Sequence, residues 1–157
     1  MADTVDSQRL SSALRELHRT LVDITRAEYE RAHLVTLGPG ELLRLLTTDP
    51  GFEWLRGLSE LMVDIELVED AAAPDKNEIA PAVRAAVEHL LSNAQAPVGL
   101  FAQHYWPYVH SEPRVAMAHG AVKQAAGAWP LPPINTSTLL EERHRLAEKA
   151  RHLMKRK

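Results

Sequence analysis

The sequence predicts an all-α domain on three observations. Leu, Ala and Val recur at steps of three and four residues, Pro and Gly cluster between those periodic stretches, and no alternating segment has a second strand near it to pair with. The expected architecture is a single-domain bundle of six to seven helices with a proline-tethered C-terminal helix. Its parts are a body over 1–128, a proline-rich connector over 129–137 and a charged helix over 138–157. A chain of 157 residues, 45% of them hydrophobic, removes roughly 70% of its unfolded surface from water, enough for a core without staples.

The first helix is predicted from Ser7 to His33, because Leu10, Leu14, Leu17, Leu21 and Ile24 fall on one face. Glu16 with Arg19, and Asp23 with Arg26, stand three apart outside that stripe and are placed to pair. Val35-Thr36-Leu37-Gly38-Pro39-Gly40 ends the helix. Pro39 then opens a short one over about 39–48, where Leu42, Leu43, Leu45 and Leu46 cover most of the circumference and predict thorough burial.

Asp49-Pro50 reads as a cap followed by proline at the first helical position, starting a third helix that runs to about Asp70. Phe52, Trp54, Leu55, Leu58, Leu61, Met62 and Ile65 form its apolar face, with Glu53, Arg56, Glu60 and Asp64 opposite. Val63 to Val68 alternates like a strand but lacks a partner, so helix is the expectation. Ala71 to Asp75 reads as a linker, and a fourth helix is expected from Asn77 or Pro81 to Asn93 with Val83, Val87, Leu90 and Leu91 inward.

Pro97 opens a fifth helix over about 97–109, with Leu100, Phe101 and Tyr105 on one side and Pro107 kinking or shortening it. Ser111-Glu112-Pro113 begins an alanine-rich sixth helix ending near Gly127. After Trp129-Pro130-Leu131-Pro132-Pro133, the run Thr138-Leu139-Leu140-Glu141 fits a capping box for a last helix.

Several chemistries are excluded or disfavoured. Without cysteine there is no disulfide, thiolate nucleophile or cysteine-held metal. Gly38-Pro39-Gly40 lacks the third glycine of a dinucleotide fingerprint, no Gly-Lys-Ser/Thr run occurs, and Gly57-Leu58-Ser59-Glu60-Leu61 lacks the second glycine of a nucleophile elbow. The opening residues carry no apolar signal segment, and no apolar run approaches the roughly 20 residues that cross a bilayer. A cytoplasmic location without membrane contact is therefore expected. The net charge of −3 gives no global attraction to nucleic acid. Residues 138–157, however, hold seven Lys/Arg against three Glu, setting a basic tail on an acidic body.

Three candidate sites remain. Glu30 with His33, and Glu141 with His144, each set a carboxylate and an imidazole one helical turn apart, the unit that di-iron bundles use in pairs. Solvated surface residues explain these pairs as well. The segment 101–119 concentrates His104, Tyr105, Trp106, Tyr108, His110 and His119, either an aromatic pocket or histidine metal site, or else the wedge of a helical hairpin whose histidines satisfy backbone groups. In the tail, Leu139, Leu140, Leu146 and Leu153 form an apolar edge beside Arg151, Lys155 and Arg156, suited to folding back or docking on a neighbour. The basic residues there equally suit the negative end of a helix dipole. The reading that results is a non-enzymatic protein acting through protein–protein contacts, as a homodimer or by partner docking, with no cofactor. The alternative is a ligand- or metal-binding bundle centred on residues 101–119.

Overall fold

The computed structural model describes residues 7–70, 73–91 and 100–129. Those residues form six α-helices and no strand, so the fold is all-α. The expected tail, with Leu139, Leu140, Leu146, Arg151, Leu153, Lys155 and Arg156, lies outside the described residues, as does the Glu141–His144 pair.

α1 spans Ser7–His33, as its leucine spacing predicts. Leu10, Leu14, Leu17 and Leu21 are completely buried and Ile24 is half-buried. The helix ends in a left-handed turn at Leu34 (φ 55°), and the Val35 N–H donates to the Glu30 carbonyl at 3.1 Å. That six-to-one closure is a Schellman cap, in which glycine normally supplies the positive φ. Arg26 ties the corner down: its Nε donates to Glu30 at 2.8 Å and its Nη2 to the Leu37 carbonyl. Arg26 thus pairs with Glu30 and not with Asp23, whose carboxylate lies 3.8 Å from Arg114 on another helix.

α2 (Pro39–Thr48) begins at its proline as expected. Its burial does not match the sequence expectation: Leu45 is buried, Leu42 and Leu46 are partly covered, and Leu43 is 64% exposed. The helix packs on one side only, against the single 3-10 turn Glu53–Leu55. A four-leucine girdle needs neighbours all round, and α2 has them on one flank.

The predicted third helix starts later than the Asp49-Pro50 signal suggests. Asp49 Oδ1 accepts the Gly51 N–H at 2.8 Å, and the Phe52 N–H donates to the Asp49 carbonyl at 3.1 Å. The aspartate therefore closes a turn instead of capping a helix. This turn drops Phe52 into the core, the 3-10 turn adds Trp54 and Leu55, and α3 runs Arg56–Asp70. Asp64, expected on the solvent side, is buried. The reason is the position of α3 between α1 and α4, which widens its covered arc.

α4 covers Ala73–Leu91, so the helix already includes Ala73, Pro74 and Asp75 of the expected linker and carries Pro81 in its interior. Val83, Val87 and Leu91 are buried as predicted, and Leu90 is half-buried. α5 (Leu100–Ser111) continues past Pro107, and Leu100 turns to solvent, away from buried Phe101 and Tyr105. α6 spans Pro113–Gly127, with Glu112 as N-cap and Pro113 first, as expected.

The helices α1, α3, α4 and α6 pack pairwise in that order, and α6 returns to α1, closing a ring. The four buried leucines of α1 meet Leu58, Leu61 and Ile65 of α3, Val83 and Val87 of α4, and Val115, Ala118 and Val122 of α6 in one core. α5 lies outside the ring on α6, α4 and the 3-10 turn.

Burial separates leucines that the sequence treats alike. Leu14→Ala should lower the unfolding free energy by about 2–5 kcal/mol, and Leu43→Ala by no more than about 0.5 kcal/mol, in urea titrations of the two variants. Leu34→Gly removes the side-chain strain of the left-handed turn at a position 92% exposed. It should raise stability by about 1 kcal/mol in the same assay.

Candidate functional site

The segment singled out for its aromatics and histidines forms a hairpin. The Glu112 N–H closes α5 on the Tyr108 carbonyl at 2.8 Å, and the Glu112 carbonyl receives the first α6 amides from Val115 and Ala116. This tight reversal sets α5 against α6, but it does not gather all six predicted residues at one place. They divide between two clusters.

The inner cluster holds Tyr105, Trp106, His110 and His119. Tyr105 is fully buried, its ring stacked on Phe101 with centroids 4.8 Å apart. Its hydroxyl lies 2.7 Å from His119 Nδ1. Burial raises the Tyr105 phenol far above its ordinary value, so it keeps its proton and donates. His119 Nδ1 is then the acceptor and its ring proton sits on Nε2. Burial, aided by the Lys123 ammonium, lowers the His119 pKa and favours the same neutral form. Trp106 sets an edge against the His119 ring at 5.3 Å, and exposed His110 tilts over Trp106 at 5.9 Å.

The outer cluster holds His104 and Tyr108, one turn apart on α5, with partners that sequence spacing did not suggest. Both rings lie nearly parallel to buried Trp54, at 5.3 Å for His104 and 6.0 Å for Tyr108. The Tyr108 hydroxyl donates to Glu28 Oε2 at 2.6 Å, linking α5 to α1. Burial, then the Glu28 hydrogen bond and charge and the Glu112 charge, raise the Tyr108 pKa.

The carboxylate–imidazole pair in α1 is already engaged. Glu30 accepts from Arg26, while His33 donates from Nδ1 to the Tyr29 carbonyl at 2.9 Å and stacks on the Tyr29 ring. Among the described residues, no three His, Asp or Glu side chains converge to hold a metal ion, and His104, His110 and His119 form no such group.

Two further polar contacts carry structural weight. His18 Nε2 on α1 lies 3.1 Å from Ser59 Oγ on α3, and Ser59 Oγ donates to the Leu55 carbonyl at 3.3 Å. With the serine proton committed to that carbonyl, His18 donates and Ser59 accepts, the reverse of what a nucleophile and its base require. Arg84 on α4 pairs with Glu88 at 3.0 Å and sends Nη1 to the Gly127 and Trp129 carbonyls, capping the C-terminus of α6. Trp129, where the predicted connector begins, is itself buried. A serine or arginine at these positions gives no signal until the neighbouring helix is in place.

No helix among the described residues is long and apolar enough to cross a membrane. The fold and its clusters define a class, an all-α helical domain with a packed aromatic hairpin. Comparison with protein-family models, curated proteins and solved structures finds no match to this chain.

His18 and His119 are both held below the ordinary histidine value of 6.5, chiefly by burial. A neutral native imidazole with a lowered pKa stabilises the fold fully above that value, and the contribution fades as pH falls below it because the unfolded chain gains protons first. Unfolding free energy, measured by urea titration across the acid range, should therefore decline as pH drops below about 6.5.

Proposed function

We propose that this protein acts through protein–protein contacts and that the outer face of α6 is the contact surface, engaged by a second copy of the chain. The observation that supports the reading is a stripe without charge. Met117, Gly120, Ala121, Gln124 and Gly127 recur at helical spacing, all are exposed, and Met117 is 76% exposed. Nothing lies within 4 Å of a Cβ built on Gly120 or Gly127. Glycine and alanine in an open helix face let another helix approach closely, and a methionine adapts to whatever shape it meets.

Glycine inside a helix lowers stability by roughly 0.5–1 kcal/mol relative to alanine, so Gly120 is unfavourable for the isolated fold. A close-packed neighbour gives it a use. The composition of residues 138–157 suits the same reading, since four leucines and seven Lys/Arg against three Glu set an oppositely charged segment on an otherwise acidic chain. The cluster around Tyr105 favours a structural role over a ligand site, because its rings pack on one another and on Trp54.

The reading predicts opposite effects on stability and association. Gly120→Ala should raise monomer stability by about 0.5–1 kcal/mol while weakening self-association in analytical ultracentrifugation. Met117→Glu should weaken association at least about tenfold, with a stability change within about 0.5 kcal/mol. A wild-type chain that stays monomeric at high concentration would overturn the proposal.

A further inference from the structure

The seam between α5 and α6 carries a hydrogen bond between a buried phenol and a half-buried imidazole, Tyr105 and His119. We propose that Tyr105 and His119 form an acid-released latch, which keeps the hairpin closed while the imidazole is neutral and lets it open when the imidazole gains a proton. This device does not depend on the self-association reading.

The geometry carries the argument. The Tyr105 hydroxyl and His119 Nδ1 are 2.7 Å apart, and Tyr105 has no exposed surface. In the neutral state the phenol donates and Nδ1 accepts. Protonation of His119 places a second hydrogen on that line, so two donors face one another. The phenol can then accept from Nδ1–H only by rotating its own proton away from His119, and Tyr105 is a fully buried member of the apolar core. A buried donor without an acceptor is unfavourable, and separating the two helices lets water supply one.

His119, unlike Tyr105, is half-buried, so a proton can reach it without global unfolding. The charges around it oppose or ignore that proton in the closed state. Lys123 stands one turn further along α6 and repels it. From α5, Tyr105 faces the ring directly and His110 lies beyond Trp106. Of the charged groups on α1 and α4, Asp23 pairs with Arg114 and Arg84 bonds the final carbonyls, each at one end of α6. None of those contacts offers a counter-charge to an imidazolium at position 119. The hairpin is also the part of the fold placed to move, since α5 lies outside the four-helix ring.

The test is residue-resolved amide hydrogen exchange on the full chain at about pH 7.5 and about pH 5, corrected for intrinsic rates. In the wild type, protection over α5 and the facing part of α6 should fall at least about tenfold more than over α1 and α3. His119→Gln, which keeps an acceptor but does not titrate, should abolish that local loss. Tyr105→Phe keeps the ring and the titrating histidine but removes the opposing donor, so it should shrink the loss, and it decides the matter if His119→Gln does not fold. Equal loss over all helices, a local loss that persists in His119→Gln, or a Tyr105→Phe variant that behaves like wild type would each overturn the latch.

Discussion

Everything in this fold leans on the leucine ridge of one helix. α1 presents Leu10, Leu14, Leu17 and Leu21 as an unbroken buried ridge packed against α3 on one side and α6 on the other, and α4 closes the ring by joining those two helices. Each leucine moved from water to a dry interior contributes about 1.5–3 kcal/mol. One helix thus organises a large share of the driving force, and the other three need only present an apolar face to the core it lines. They do so with different residues: leucine and isoleucine on α3, valine on α4, valine and alanine on α6. The small side chains of α6 let it approach α1 closely. That choice also leaves α6 with an outer surface of glycine, alanine and methionine, from which the proposed contact arises.

The ring by itself does not specify where α5 goes. Its position comes from contacts that combine apolar packing with a directed bond. Phe101 and Tyr105 bury their rings, the Tyr105 hydroxyl reaches His119, and the Tyr108 hydroxyl reaches Glu28. Tyrosine suits this task because one end of the ring is apolar and the other must find a partner. The two hydroxyls tie α5 to α6 and to α1, and backbone bonds on both sides of Glu112 close the reversal between α5 and α6. The polar contacts that cross the core follow the same logic. His18 meets Ser59, and Arg84 meets the open carbonyls of α6, so each of these polar groups has a geometric reason for its place.

Structure is legible in the sequence where its signal is local and hidden where the signal is shared between distant residues. The span Ser7–His33 follows from leucine spacing and the Gly-Pro-Gly stop, and α6 follows from Glu112-Pro113 and Gly127. Asp49-Pro50 misled because the same carboxylate that caps a helix also closes a turn, and only the position of Phe52 distinguishes the two. The four leucines of α2 suggested burial that its single-sided packing does not provide. Tyr105 and His119 were legible as members of one aromatic hairpin. Trp54 and Glu28 were not, since they stand far along the chain and reach α5 only once α1 and the 3-10 turn are in place.

By itself, then, the amino-acid order determined that the chain is helical, which faces of α1 and α3 are apolar, and where most helices stop. Those properties depend on residues within one or two turns of each other. Tertiary structure alone decided that Asp64 lies inside, that Leu43 and Leu100 lie outside, and that the six aromatic and histidine residues form two clusters. Exposure and side-chain partnership are properties of how whole helices lie against one another, and no spacing within a single helix contains them.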